Sequence, residues 1–577
     1  MKKIGVGMAM LAATLLMGCA GPGNLSEKNE DNADPLYRYQ WYLQNRGQAV
    51  IADTLPKAGV DLNIGNLHKN HIRGAGVEVA VIDSGLDIKH EDLAANVVSG
   101  GSMNFADHST DPTNLDFKGD HGTSVAGIIA AVGWNGKGGR GIAPEAKLRG
   151  FNFLLNQSEP NLLNSWGEGP SAKADVFNNS WGVPSRSFPE ISPDQAGALE
   201  ALMRSTRAGK GGIYIKAAGN SFVDVAASDP DAATACNDAK EFILGCVPAN
   251  SDMRNSLATI ITVAAVNAQG VRSSYSSAGS SMWVSGFGGE YGGQKRDVPA
   301  SILAIAPASY VDPAMLTTDQ SGCDQGYNRN RLSNRVNALN TNASTIDSSC
   351  NYTAEFSGTS SAAPTVAGVV ALMLQVNPSL SARDVKYILA TTAKKNDVAQ
   401  PMVTFRGLIL DPGWTTNAAG HPFSNWYGYG LVDATRAVNA AKTFVGLPPL
   451  RESEWQVSTD LTIAIPYLNE TQGTVSMAVI QNLKIETVQF GFYTSHKNPT
   501  NLRVTLTSPS GTKSYLQTPF SALVPVSGGW AINFAASNAF LDESAVGTWT
   551  LQIVDVKNPN DAKGTILDSW GLRFFGH

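Results

Sequence analysis

The chain has 577 residues, 43 Lys and Arg against 49 Asp and Glu, and a formal net charge of −6. Such a length exceeds one domain and buries a large core. The slight acidic excess, without a basic run, excludes nucleic acid as an expected partner, and 57 glycines with only 16% charged residues suit a tightly packed, loop-rich exported protein better than a disordered or coiled one.

Lys2-Lys3 followed by the apolar run Gly5 to Met17 has the layout of an export signal and is too short to span a bilayer stably. It closes on Leu16-Met17-Gly18-Cys19, which resembles the lipobox of bacterial lipoproteins. That resemblance makes 1–18 a signal peptide and Cys19 a lipidated first residue, held in the outer membrane or at the cell surface. Ala20 after the cysteine agrees with outer-membrane sorting. The alternative is an ordinary secretory signal with Cys19 incidental. Residues 19–33 are polar and rich in Gly, Asn and Asp, a flexible tether.

From Asp34 the composition becomes globular. Apolar, β-branched runs at 76–82, 147–153, 176–178, 212–217 and 260–266 are expected as buried parallel strands. Helical patterns at 124–131, 196–207, 381–393 and 433–443 alternate with them or follow them, which argues an α/β domain over 34–445. Long irregular stretches at about 221–256 and 286–350 are expected to face substrate or a partner. Residues 446–453 form a linker. From 454 to 577, short alternating strands with turn signals are expected to build an all-β sandwich.

Beyond Cys19 there are four cysteines, Cys236, Cys246, Cys323 and Cys350. An even count in an exported chain suggests two disulfides, and proximity favours Cys236–Cys246 and Cys323–Cys350, although three pairings are open. A zinc site is the alternative, but there is no CxxC pair and no histidine at ligand spacing.

The chemistry-bearing residues lie far apart. Asp83 ends the strand 77–82, on the side where open α/β sheets bind ligands. His121 stands among small residues in Gly119-Asp120-His121-Gly122-Thr123, at the start of an apolar helix. Ser360 lies in Ser357-Gly358-Thr359-Ser360-Ser361-Ala362-Ala363-Pro364, a small-residue turn running into another apolar helix. A helix start offers unpaired N–H groups and a positive dipole end to a forming anion. Any one of the three alone reads as a cap or a surface residue. Together they are the parts of a nucleophile, its base and the carboxylate that orients the base. Asn220, in Ala217-Ala218-Gly219-Asn220, can donate to the tetrahedral oxyanion beside the Ser360 N–H. The order Asp, His, Ser is that of subtilisin, and no GxSxG elbow surrounds Ser360.

On these residues the chain resembles the subtilisin-like (S8) serine proteases, and within them the kexin/furin branch. Asp34-Pro35-Leu36 with Gln40-Trp41-Tyr42-Leu43 resembles the entry segment of that branch, and Tyr427-Gly428-Tyr429-Gly430-Leu431-Val432-Asp433-Ala434 its closing segment. Residues from about 454 resemble its P-domain, through Ser508-Pro509-Ser510-Gly511-Thr512, Gly547-Thr548-Trp549-Thr550-Leu551, Asp555 and Trp570-Gly571-Leu572. The resemblance implies a subtilase fold with a parallel central sheet plus a P-domain-like β-sandwich, and a serine endopeptidase acting on proteins or peptides. It implies that Ser180, Trp181 and Gly182 pair with the substrate backbone. It also implies one Ca²⁺ held by Asp34, Asp92, the Asn135 side chain and the carbonyls of Val132, Lys137 and Gly139, hard oxygen donors of the kind calcium favours.

Two departures from the branch qualify the expectation. The acidic runs that line its P1 pocket and a second calcium site are missing after Ser180-Trp181-Gly182 and in Ser273-Ser274-Tyr275-Ser276-Ser277, leaving Asp252 as the surviving pocket acid and a basic P1 preference as the expectation. Only about fourteen residues separate Cys19 from Asp34, too few for a folded pro-segment, so an external chaperone or inhibitor, or the β-module itself, is expected to assist folding. Rival readings are a maturation protease for one exported partner and a non-catalytic surface lipoprotein on the same scaffold.

Overall fold

The computed structural model describes residues 33–114, 121–183, 185–188, 191–224, 232–328, 336–341 and 344–577. The expected signal peptide, nearly all of the tether and Cys19 lie outside them. Six parallel strands form the central sheet in the order β2-β1-β3-β4-β5-β6: β1 Glu78–Ile82, β2 Lys147–Phe151, β3 Val176–Asn179, β4 Ile213–Ala217, β5 Ile260–Val266 and β6 Val284–Phe287. Their near-continuous burial explains the uninterrupted apolar runs, since helices cover both faces of such a sheet. The sequence reading missed β6, because Val284-Ser285-Gly286-Phe287 is short and polar at its centre. Gly286 is needed there: a Cβ would lie 2.3 Å from the Ala362 carbonyl oxygen, so β6 packs directly on the helix that carries Ser360.

That helix, Thr359–Val376, is buried over its first sixteen residues, Thr359 to Leu374. It is long and apolar enough to cross a membrane, but 89% of it is buried, which makes it the central core helix of the domain. The helix His121–Ala130 begins at His121, three residues before the start read from the sequence, and nine of its ten residues are buried.

The stretches 221–256 and 286–350 are less irregular than expected. Met315–Thr318 and Tyr352–Phe356 form an antiparallel pair whose outgoing strand runs straight toward the Ser360 turn. The two disulfides are Cys236–Cys246 and Cys323–Cys350. The stretch around the first turns two ways: Val247, Pro248 and Asp252 line the cleft that holds Ser360, while the disulfide end lies against the β-module. Its residues pack with Phe520 and Val554 of the β-module, Phe242 stacks on Phe520 at 4.5 Å, and the Ala522 N–H donates to the Cys246 carbonyl.

The C-terminal module has two antiparallel sheets. One contains Ile485–Thr494, Trp530–Ser537 and Ile566–Gly576, and the other Thr474–Val479, Gly547–Asp555, Leu502–Thr507 and Lys513–Gln517. Arg451–Glu452 already pairs with the last strand, so the sandwich begins within the segment read as linker. Trp549, Trp570 and Phe574 are buried in its core. Asn538 joins the two units: its amide donates to the Ser281 and Met282 carbonyls at 2.8 and 3.3 Å, and its own carbonyl accepts from the Tyr429 hydroxyl.

Candidate active site

Asp83 follows β1 directly and is fully buried. Its N–H donates to the Phe151 carbonyl of the neighbouring strand, which fixes the backbone. Its Oδ1 accepts from the Ser84 N–H at 2.7 Å and stands 2.8 Å from Nδ1 of His121. A residue with a side chain could not follow the histidine. A Cβ on Gly122 would lie 1.9 Å from the Gly85 carbonyl oxygen and 2.9 Å from the Asp83 Cβ. The His121 side chain is 28% exposed and so reaches the cleft. Phe356, four residues before Ser360, holds the imidazole edge-to-face at 5.3 Å.

Ser360 is in the first turn of its helix, after Gly358 at φ 102°, a conformation that favours glycine. Its hydroxyl donates to the Ser180 carbonyl at 3.0 Å, and its own carbonyl accepts from the Ser180 hydroxyl at 2.7 Å. Pro364 accounts for the second bond. A proline has no N–H to give the carbonyl four residues earlier, so the Ser360 carbonyl is available to Ser180. A helix-interior proline thereby ties Ser360 to the segment that leaves β3. Ser180-Trp181-Gly182 lies just beyond that strand, with Gly182 exposed and Trp181 half-buried, and the Trp181 indole donates to the Ile82 carbonyl next to Asp83.

Asn220 is anchored through its oxygen, which accepts the Thr359 N–H and the Thr359 hydroxyl, both at 2.8 Å. Its Nδ2 is 3.2 Å from the position a Cβ on Gly358 would take, beside the Ser360 turn. Thr359 is not singled out by the sequence, yet its position next to Ser360 and its two donors are there to be read. A cleft of about 350 Å³ is lined by Trp181, Gly182, Gly219, Asn220, Asp252 and Ser360, among others.

Asp252 is on the wall of this cleft, but its charge is already shared. Oδ2 lies 2.8 Å from Lys216 Nζ and accepts the Val183 N–H at 3.2 Å, while Oδ1 accepts the Arg254 N–H. Burial pushes this carboxyl up, and the Lys216 and Arg254 cations with those hydrogen bonds more than reverse it, leaving it below its ordinary value. Lys216, the residue before Ala217-Ala218-Gly219-Asn220, went unremarked in the sequence because it looked like an interruption of an apolar strand.

The expected calcium ligands converge only in part. Asp34 is buried, and its oxygens accept the Trp134 and Asn135 N–H groups and the Arg140 Nε–H at 2.8 Å. Asp92 is buried too. Its Oδ1 accepts from the Asn135 side-chain amide at 2.6 Å, and its Oδ2 has no hydrogen-bond partner. Asn135 thus turns its nitrogen to Asp92, while its oxygen takes the Lys137 N–H, which differs from the expected oxygen ligation. The Val132–Gly139 loop does close over Asp92: the Val132 N–H donates to the Asp92 carbonyl, and a Cβ on Gly138 would lie 2.6 Å from Asp92 Oδ2. Gly139 packs against the Gln40 side-chain amide. Among the described residues no three His, Cys, Asp or Glu side chains form a metal cluster. An orphaned buried carboxylate oxygen beside a carbonyl-bearing loop fits a hard cation nonetheless, although Arg140 already balances Asp34.

Comparison with known proteins shows the family of both units. Residues 74–430 match the subtilase family, peptidase S8, and residues 485–574 match the proprotein convertase P-domain. The chain is 38% identical to the Aeromonas extracellular serine protease of Aeromonas sobria, over 96% of this chain and 92% of that protein. It is 33% identical to the microbial serine proteinase of Aeromonas salmonicida, over 91% and 85% respectively. The crystal structure of the A. sobria serine protease superposes with a TM-score of 0.85 at 36% identity, covering 94% of this chain and 96% of that one. A second structure holds the A. sobria protease in complex with the chaperone ORF2, with a TM-score of 0.83 at 35% identity, covering 94% and 95%.

Proposed function

Because the chain belongs to the subtilase family of serine proteases and carries a proprotein-convertase P-domain, we propose that it hydrolyses peptide bonds with Ser360 as nucleophile, His121 as base and Asp83 as the orienting carboxylate. The observation that carries this is the 2.8 Å approach of His121 Nδ1 to a fully buried Asp83 Oδ1. It keeps the Nδ1–H tautomer, so Nε2 is the basic nitrogen, and it stabilises the imidazolium once formed. In this mechanism the Ser360 hydroxyl leaves the Ser180 carbonyl, to which it donates in the resting structure, and gives its proton to that nitrogen. Attack on the scissile carbonyl then gives an oxyanion that accepts from Asn220 Nδ2 and the Ser360 N–H. His121 returns the proton to the leaving amine, and water repeats the sequence on the acyl-enzyme. Labelling by a fluorophosphonate, abolished in Ser360→Ala, tests the assignment. Undiminished labelling of that variant would refute it, and an unlabelled native protein without peptidase activity would favour a binding role.

Substrate backbone lies along Ser180-Trp181-Gly182 in this reading, and Asp252 supplies the preference for Lys or Arg at P1. Calcium, when bound, adds a fixed positive charge between the entry segment and the 132–139 loop. Asp92 would hold it, with Asp34 and the carbonyls of Val132, Lys137 and Gly139. The complex of the A. sobria relative with ORF2 supports a chaperone partner for this chain as well, testable by the yield of active enzyme with and without a co-expressed partner. The leader and the name of that relative support export, and Cys19 is the proposed lipid attachment point.

A further inference from the structure

The geometry points to Lys216 as the residue that sets how strongly the cleft favours a positive P1 side chain, acting as a resident counter-ion that competes with the substrate for Asp252. This rests on the reading of Asp252 as the P1 acid.

The Lys216 side chain has no exposed surface. It is the next-to-last residue of β4, the strand that leads into Asn220, and its ammonium lies behind the cleft wall, under Trp181, Gly182 and Asp252. There it donates to the Trp181 carbonyl at 2.8 Å and stands 2.8 Å from Asp252 Oδ2. Both groups crowd the same point of the substrate-binding segment: a Cβ on Gly182 would lie 3.3 Å from Lys216 Nζ and 3.4 Å from Asp252 Oδ2. The remaining charge facing Asp252 is Arg254, 3.7 Å from Oδ1, partly exposed and over the Trp181 ring.

Two consequences follow from elementary electrostatics. A carboxylate paired at contact distance with a buried ammonium presents little net charge to an incoming cation, and removing one member of such a pair leaves the other in need of a partner. Lys216 also fixes where the carboxylate sits, because the same ammonium is hydrogen-bonded to the backbone on which substrate lies. It is therefore a positioning residue: it acts through Asp252 and the Trp181 carbonyl, with no role in bond cleavage.

The test uses peptide substrates identical except at P1, which is either arginine or its neutral isostere citrulline, and compares the ratio of their kcat/KM values. Lys216→Met is expected to raise the Arg-to-citrulline ratio about tenfold or more, since the substrate cation becomes the missing partner of Asp252. Lys216→Arg, which keeps the resident charge, is expected to stay near the native ratio. A merely structural role would lower both substrates alike and leave the ratio unmoved. Lys216→Gln carries the same expectation as Lys216→Met and is read if the methionine variant does not fold. An unchanged or lowered ratio in the neutral variants overturns the inference. Asp252→Asn separates this from the P1 reading itself: if it lowers the native ratio while the Lys216 variants change nothing, Asp252 stands and Lys216 falls. If the native ratio is near unity and rises only when Lys216 is neutralised, the native basic preference falls and Lys216 stands.

Discussion

Asn220 Oδ1 holds Thr359 twice, through its backbone N–H and its hydroxyl, both at 2.8 Å. The contact fixes the amide's orientation before any substrate arrives, because the oxygen is committed and only the nitrogen is left to face the Ser360 turn. A donor aimed where charge develops is worth most when it does not have to reorganise. Asn220→Ala is expected to lower kcat by about 10²–10³ with little change in KM, the loss known for the equivalent donor in subtilisin and taken over from it. Thr359→Val keeps the N–H and removes only the hydroxyl, so a smaller fall is expected. Steady-state kinetics on one peptide substrate measures both.

Gly122 predicts a second outcome. A methyl group there would meet the Gly85 carbonyl oxygen at 1.9 Å, so Gly122→Ala must push the histidine helix away from the Asp83 loop. Fluorophosphonate labelling is expected to fall by about two orders of magnitude or more, as the base loses alignment. Overpacking of this kind costs about 1–3 kcal/mol of stability. A variant that is labelled at the native rate would contradict the geometry.

Lys386 predicts a pH dependence. It is buried at the junction of the two units, donating to the Ala258 carbonyl at 2.7 Å and lying 3.4 Å from the Thr487 hydroxyl. Burial pushes its ammonium down to about 7 from 10.5, with Glu486 and Glu200 opposing. The unfolded chain therefore binds more protons between pH 7 and 10.5, and stability from this group rises with pH across that window. Below pH 7 the full penalty of the buried charge remains. Between pH 7 and 9 the native protein is expected to gain stability relative to Lys386→Met, by up to about 3 kcal/mol at 1.36 kcal/mol per pH unit. Urea unfolding at the two pH values reads the difference.

Asn538 is one of the polar links between the units, with bonds to Ser281, Met282 and Tyr429, and its side-chain oxygen is held within its own module by the Thr487 hydroxyl. Asn538→Ala leaves the buried carbonyls of Ser281 and Met282 without that donor, which costs about 1–3 kcal/mol for each unsatisfied group. A lower melting temperature and faster proteolytic separation of the two units are expected. Native behaviour in both assays would mean that the other links, such as Asn250 and Ser280 to the Ala536 carbonyl and Arg383 to Glu486, suffice.

Calcium addition is expected to raise the melting temperature, and Asp92→Asn to remove most of that rise, since Asp92 Oδ2 is a buried carboxylate oxygen without a protein donor beside the 132–139 loop. Asp34→Asn should affect the calcium response less, because Arg140 already balances Asp34. Calorimetry with and without chelator decides it, and an equal loss in both variants would assign Asp34 as a full ligand.

Local chemistry made much of this protein legible in one dimension. The apolar runs of β1 to β5, the small-residue turns around His121 and Ser360, the Asp83 strand end and the change to alternating strands after 450 all announce themselves, because strand burial, helix entry and tight turns impose requirements on adjacent residues. What only the tertiary structure decided are the relations between residues distant in the chain. Pro364 matters because the carbonyl it leaves unbonded meets Ser180. Asp252 had the right charge for a P1 acid, but Lys216, 36 positions earlier, shares that charge across the sheet. Asn135 stands beside Asp92 as the resemblance implies, but it is the nitrogen that faces Asp92 while the oxygen accepts the Lys137 N–H. A side chain's type is set by its codon, but its electrostatic partner is set by packing, and the pairings at this cleft were decided there.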